Sequence, residues 1–209
     1  MSNVEIKICG ITSEEAIITA SKYQCCKYLG FVTYNKSKRH LTIEQAGRLT
    51  KLVPKHIKRV SVLVGAPTFD FIDKTQNMYD YFQIYDASPS QIQQLKLVSE
   101  KKVIVAIKAK DQKAVDLYRQ YLGIADGFLF DGSSSYETSS GFDWNYLKTV
   151  KSTFFLAGGI GIENISNALT ISSQIDISSK LEEIEGKKSV KKIKEFLLKV
   201  KEINENRTV

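Results

Sequence analysis

Cysteine, histidine and long apolar runs are all scarce in this chain of 209 residues. There are three cysteines, Cys9, Cys25 and Cys26, and two histidines, His40 and His56. An odd number of cysteines is not the framework of a disulfide-stapled secreted domain. Adjacent Cys25-Cys26 lacks the spacing of zinc ligands, and both histidines stand far from any cysteine, so no metal is expected. No apolar run approaches the roughly 20 residues of a membrane span. The N-terminus lacks the basic and apolar blocks of a signal peptide, so a cytoplasmic location and no membrane partner are expected. Internal repeats and linkers are also missing, which leaves one domain over 1–209.

Charge is abundant, with a net +7. A basic balance is the footprint of nucleic-acid binding only when it is clustered on a face that meets the ligand. Here eight basic and three acidic residues fall from Lys187 onward. There Val190, Ile193, Leu197 and Val200 form an apolar stripe and lysines occupy the other positions. That is the solvated face of a core-packed helix, and it argues against a nucleic-acid partner. Hydrophobic residues make up 43% of the chain, enough for a sizeable core.

Strand-like and helix-like segments alternate throughout. Val4-Glu5-Ile6-Lys7-Ile8 alternates like a half-buried strand, ends at Gly10, and leads to Thr12, which can cap a helix over 13–23. Further strands are expected at 27–32, 58–64, 81–85, 103–107, 125–130, 153–156 and 174–177. Helices are expected from Thr42, with a capping box completed by Gln45, near Thr68, from Ser88-Pro89, over 111–121, after Asp143, near 162–170, and at the lysine-rich end. Eight such units predict a single-domain α/β fold, a closed (β/α)8 TIM barrel, with a doubly wound open sheet as the rival.

Active sites of such barrels lie at the C-terminal ends of the strands. The polar residues there are Cys9, then Lys36, Lys38, Arg39 and His40, then Tyr85 and Asp86, Asp131, Gly158-Gly159, and finally Asp176, Ser178, Ser179 and Lys180. A thiol and a carboxylate on one ring of loops suit an acid–base pair. The loops after the seventh and eighth strands are the usual phosphate site. Gly158-Gly159 permits close backbone approach, the following helix offers amides, and Ser178-Ser179 add donors.

These residues resemble the phosphoribosylanthranilate isomerase family of tryptophan biosynthesis. The resemblance covers nearly the whole chain, in order. It rests on Lys7-Ile8-Cys9-Gly10-Ile11-Thr12, Leu29-Gly30-Phe31-Val32, Ser37-Lys38-Arg39-His40, Phe142-Asp143-Trp144, Leu156-Ala157-Gly158-Gly159-Ile160 with Glu163-Asn164, and Ile175-Asp176-Ile177-Ser178-Ser179. It implies a (β/α)8 barrel with no cofactor that acts on a small phosphorylated substrate, as a monomer or homodimer. The reaction it implies is an Amadori rearrangement of N-(5′-phosphoribosyl)anthranilate. By resemblance Asp131 is the general acid and Cys9 the general base. A base thiol needs a lowered pKa, which a basic neighbour would supply. Arg39 is implied to meet the anthranilate carboxylate or ring with its planar fork, Asp176 to lie near the anthranilate amine, and Gln83 to bind substrate. Phosphate falls to Gly158, Gly159, Ser178, Ser179 and Lys180.

Three departures qualify the match. The stretch 136–141 keeps one glycine and carries Glu137, where relatives are glycine-rich. Lys180 stands where relatives have glycine, and a lysine at positive φ would be strained. Gln83-Ile84-Tyr85-Asp86 replaces Gln-Leu-His-Gly, so the histidine is absent and any role it plays is dispensable or taken by Tyr85, which otherwise reads as structural. Two rivals remain: a barrel that binds a phosphate ligand without turnover, and the related histidine-pathway phosphoribosyl isomerase, which uses aspartate in place of Cys9.

Overall fold

A computed structural model gives the structure, which describes residues 4–132 and 142–206. Eight parallel strands close into a barrel in chain order: β1 (Glu5–Cys9), β2 (Cys26–Val32), β3 (Lys58–Val64), β4 (Tyr81–Tyr85), β5 (Lys102–Lys108), β6 (Gly127–Asp131), β7 (Phe154–Ala157) and β8 (Gln174–Ile177). Closure is made by β8 pairing back onto β1, with Lys7 opposite Asp176. Helices α1 (Glu14–Ala20), α2 (Ile43–Thr50), α3 (Phe69–Thr75), α4 (Pro89–Ser99), α5 (Gln112–Asp116) and α6 (Ile165–Ile171) join successive strands, and a 3-10 turn, Trp144–Thr149, precedes β7. The open-sheet alternative is thereby excluded.

Alternation along each strand sorts the apolar residues into two cores. Ile6, Ile8, Leu29, Phe31, Phe82, Ile84, Phe128, Phe130 and Leu156 pack outward against helix residues such as Ile17, Ile92, Leu95 and Leu169. Their strand neighbours Val60, Val62, Ile104, Ala106, Leu129 and Phe155 fill the barrel interior, with Cys9 and Tyr85 at its upper end. Any register slip of one residue would exchange the two sets.

Side-chain caps set most helix starts. Thr42 with Gln45, and Ser88 with Gln91, form complete capping boxes, and Pro89 opens α4. Each cap is worth about 1 kcal/mol. At the first helix the cap is Ser13, not Thr12: Ser13 Oγ accepts from the Ala16 amide, while Thr12 Oγ1 donates to the Gly186 carbonyl at 3.0 Å.

The chain after β8 departs from expectation. Between β8 and the terminal helix α7 (Val190–Asn206) lies an antiparallel hairpin, β9 (Glu182–Ile184) and β10 (Lys187–Lys188). Lys188 is not part of a solvated face, for its ammonium is fully buried. The stripe that α7 buries is Ile193, Phe196, Leu197 and Val200, and Val190 lies outside it, exposed. The expected strain at Lys180 is also absent. Residues Ser179–Leu181 form a 3-10 turn, and among the described residues the non-glycine positive φ angles belong to Asp86 and Glu100. Asp86 has φ 53°. Aspartate tolerates that conformation better than most side chains.

Candidate active site

A cavity opens at the C-terminal mouth of the barrel. Its lining includes Cys9 from β1, Arg39 from the loop after β2, Tyr85 from β4, Asp131 from β6, Gly158 and Gly159 after β7, and Asp176, Ser178 and Ser179 from β8 and beyond. These are the strand ends singled out in the sequence. Cys9 and Asp131 stand three strands apart around the closed ring.

Cys9 sits over the gap left by Gly30, its register partner on β2. A Cβ placed on Gly30 would lie 3.1 Å from Cys9 Sγ and 3.2 Å from Lys7 Nζ. The thiol and the Lys7 ammonium therefore crowd the one point where any other residue would begin its side chain. Lys7 Nζ is anchored by Asp176 Oδ1 at 2.9 Å, with the lysine fully buried. Ser178 Oγ donates to the Cys9 carbonyl at 3.0 Å and fixes the end of β1 to the loop after β8.

The electrostatics correct one expectation. Cys9 is not acidified. Burial disfavours its thiolate and pushes the thiol above its ordinary value of 9.0, although Lys7, Lys188 and Arg39 all pull the other way. Burial also opposes the charge on Lys7, but Asp176 and Cys9 outweigh it and raise that ammonium above its usual range. Lys7 is thus a fixed cation beside the sulfur and the largest influence favouring thiolate. Lys7→Met is expected to move the Cys9 titration further up. Although Asp176 opposes the thiolate, its effect is smaller than that of Lys7, so losing the pair together still removes net stabilisation. Rates of iodoacetamide labelling at Cys9, mapped by peptide mass from about pH 6 to 11, measure this through the thiolate fraction. A Lys7→Met midpoint at or below that of wild type would contradict the assignment.

Asp131 meets Tyr85, whose hydroxyl donates to Asp131 Oδ2 at 3.1 Å. Burial and the neighbouring Asp131 keep Tyr85 a phenol well above the usual range, so it acts as a donor. Tyr85 is therefore a site residue, contrary to its reading as a structural one.

Gly158 and Gly159 have φ angles of 91° and 69°, in the region where L side chains are strained. Asn164 ties their loop, accepting from the Gly161 amide at 2.9 Å and donating to the Gly159 carbonyl at 2.9 Å. Four of the five expected phosphate residues line the cavity. Lys180 does not: it is half-exposed and paired with Glu163 at 2.7 Å. The 3-10 turn aims it at the start of α6, outside the lining. The stretch 136–141, with Glu137, lies outside the described residues.

Two further expectations need correction. Gln83 is fully buried inside the barrel, one inward position below Tyr85, and is absent from the cavity lining. Its amide has no hydrogen-bond partner among the described residues. Arg39 lines the cavity, but the Nε–Nη2 edge of its fork is occupied by Glu182, at 2.6 and 2.8 Å. Only the rest of the guanidinium is open to a ligand. Sequence reasoning placed Tyr85 at the right strand end without giving it a bond to Asp131, and it missed the roles of Lys7, Glu182 and Lys188. The inward phase of Lys7 on a strand of alternating Ile was the one usable signal.

A closed parallel barrel whose mouth gathers a thiol, a carboxylate and a glycine-rich loop has the site layout of a (β/α)8-barrel enzyme. The family description N-(5′-phosphoribosyl)anthranilate (PRA) isomerase matches residues 6–199. The chain belongs to that family. It is 34% identical over 212 residues to N-(5′-phosphoribosyl)anthranilate isomerase of Staphylococcus aureus strain bovine RF122, across 97% of this chain and 100% of that protein. A crystal structure of phosphoribosyl anthranilate isomerase in complex with reduced 1-(o-carboxyphenylamino)-1-deoxyribulose 5-phosphate superposes with a TM-score of 0.78, at 27% identity over 95% of this chain and 99% of that one. A structure of monomers derived from the dimeric Thermotoga maritima enzyme gives 0.80, at 26% identity and the same coverage. Among the described residues no helix is long and apolar enough to cross a membrane.

Proposed function

We propose that this chain converts N-(5′-phosphoribosyl)anthranilate to 1-(2-carboxyphenylamino)-1-deoxyribulose 5-phosphate, in L-tryptophan biosynthesis, by general acid–base catalysis without a cofactor. Asp131 protonates the ribose ring oxygen while the anthranilate nitrogen expels it, opening the ring to a cationic Schiff base. Cys9 thiolate then removes the C2 proton. The enolamine that results tautomerises to the ketone. The observation that carries this reading is that Cys9 and Asp131 line one cavity with the Gly158-Gly159 and Ser178-Ser179 loops.

A thiol held above its usual range is not an obstacle. The thiol first releases its own proton to solvent at the cavity mouth, a step that the positive charge of the Schiff base next to sulfur favours, and the thiolate then accepts the C2 proton. A more basic thiolate is also a stronger proton acceptor once formed. Arg39 takes the anthranilate carboxylate with the part of its guanidinium left open by Glu182, and Asp176 faces the amine. The phosphate sits on Gly158, Gly159, Ser178 and Ser179. The protein acts in the cytoplasm as one domain, in a monomer or homodimer.

Purified protein should abolish the fluorescence of N-(5′-phosphoribosyl)anthranilate in a time-dependent, enzyme-proportional manner, with the ketone product identified by mass spectrometry after trapping. A folded protein that binds the reduced product analogue but leaves the substrate unchanged would overturn the reading and leave a binding protein in its place.

A further inference from the structure

The hairpin β9–β10 is not part of the barrel, yet it holds the most densely bonded carboxylate near the cavity. Glu182 Oε1 accepts from Arg39 Nε at 2.6 Å and from Lys188 Nζ at 2.6 Å. Its Oε2 accepts from Arg39 Nη2 at 2.8 Å and from the Gly186 amide at 3.1 Å. Arg39, Glu182 and Lys188 are all buried. Burial opposes the charge on Glu182, but its bonds from Arg39 and the nearby Lys188 bring the carboxyl below its usual range.

The surroundings are shaped to this cluster. Gly10, at φ 77°, leaves room for the Arg39 stem, and a Cβ there would run into Arg39 Cδ. Thr12 Oγ1 ties the loop after β1 to the hairpin through the Gly186 carbonyl at 3.0 Å. Lys188 Nζ also donates to Ser178 Oγ at 3.3 Å, and Ser178 in turn holds Cys9. The cluster is therefore joined, through Ser178, to the backbone carbonyl of Cys9 at the end of β1.

Charge decides what the cluster is for. An Arg–Glu pair alone would be neutral and would offer an incoming anion little net attraction. Burial pushes the Lys188 ammonium below its usual range while Glu182 beside it favours the charge. With Lys188 protonated, the three side chains carry one net positive charge, and Arg39 alone among them lines the cavity. A buried ion cluster is weak evidence of a stabilising role, since replacing a whole one by well-packed apolar side chains is often neutral or stabilising. We infer that Glu182 and Lys188 are positioning residues for the substrate carboxylate: Glu182 holds Arg39 by one edge so that the other faces the cavity, and Lys188 restores the positive charge that Glu182 cancels. The inference rests on the proposed reaction, whose substrate is an aromatic amine bearing an ortho carboxylate.

The test compares N-(5′-phosphoribosyl)anthranilate with N-(5′-phosphoribosyl)aniline, which lacks the carboxylate. Lys188→Met removes the charge at similar length. Glu182→Asp keeps the charge but withdraws the carboxylate by one methylene. Each variant is expected to lower the kcat/KM preference for the carboxylate substrate by about 10- to 100-fold, carried by KM, as expected for a charge-assisted contact that is weakened. Lys188→Arg should restore most of the preference. Equal losses on both substrates in both variants would overturn the inference and make the cluster structural. If Lys188→Met does not fold, as circular dichroism would show, Glu182→Asp decides. Calorimetry with the reduced product analogue and its decarboxy counterpart makes the same comparison without turnover. An inactive wild type that still prefers the carboxylate ligand would refute the reaction but not the positioning. A wild type with no such preference would refute the positioning.

Discussion

Cys9→Ala is expected to turn over N-(5′-phosphoribosyl)anthranilate about 10²- to 10⁴-fold more slowly than the wild type, the usual worth of a positioned acid–base group. Neither Cys25 nor Cys26 lines the cavity, so no second thiol can substitute. The loss belongs in kcat rather than KM, because the base acts on C2 only after the substrate is bound and opened. Cys9→Ser separates basicity from shape. A serine hydroxyl fits beside Gly30 but is far harder to deprotonate than a thiol, so it should be no better than alanine. Stability is expected to change little, since Sγ occupies the floor of an open cavity rather than the packed layer between strands and helices. Steady-state fluorescence kinetics, with binding of the reduced product analogue as control, check this. If Cys9→Ser or Cys9→Ala kept more than about a tenth of wild-type kcat, far above the range for a lost base, proton abstraction would have to be assigned elsewhere.

Asp131→Asn is the second large effect, again about 10²- to 10⁴-fold in kcat. Asparagine keeps the size of the side chain, and its amide oxygen can still accept the Tyr85 hydroxyl. What it cannot do is deliver a proton to the ring oxygen. Without that proton the sugar ring opens by expelling an unstabilised alkoxide, and the Schiff base does not accumulate. Asp131→Ala should be at least as slow, and the double variant with Cys9→Ala far less than multiplicatively slower, because both act on one sequence of steps. Rapid mixing of Asp131→Asn with substrate should show binding without loss of anthranilate fluorescence. Near-normal turnover would remove Asp131 from the acid role.

The eight-strand alternation was legible because each strand carries its own evidence: β-branched runs at 58–64, inward–outward alternation at 4–8, capping boxes at Thr42 and Ser88. The proposed roles of Cys9 and Asp131 came from the family resemblance, but their positions at the cavity were legible for the same reason, as strand ends. Partnerships were not. Nothing local to Arg39 announces a carboxylate 143 residues onward, nor anything near Lys7 an aspartate 169 residues onward. Lys188 was hidden among exposed lysines, because two-residue strands have no periodicity to read. Gln83 and Tyr85 stand in one segment that departs from the family pattern, but a difference of two positions along β4 separates the cavity from the barrel interior. At Lys180 the direction of the 3-10 turn, invisible in composition, gave the ammonium to Glu163 instead of the cavity.

The same long-range pairings set a schedule for synthesis. A ribosome adding ~5–20 residues per second needs roughly 7–30 s to travel from Arg39 to Glu182. For that interval the nascent barrel holds a guanidinium and the Lys7 ammonium whose counter-charges have not yet been made. A buried cation without its partner is strongly destabilising. Burying either cation before then is costly, so the packing around Lys7 and Arg39 is complete only when β8 closes the ring and the hairpin behind it supplies the last carboxylate.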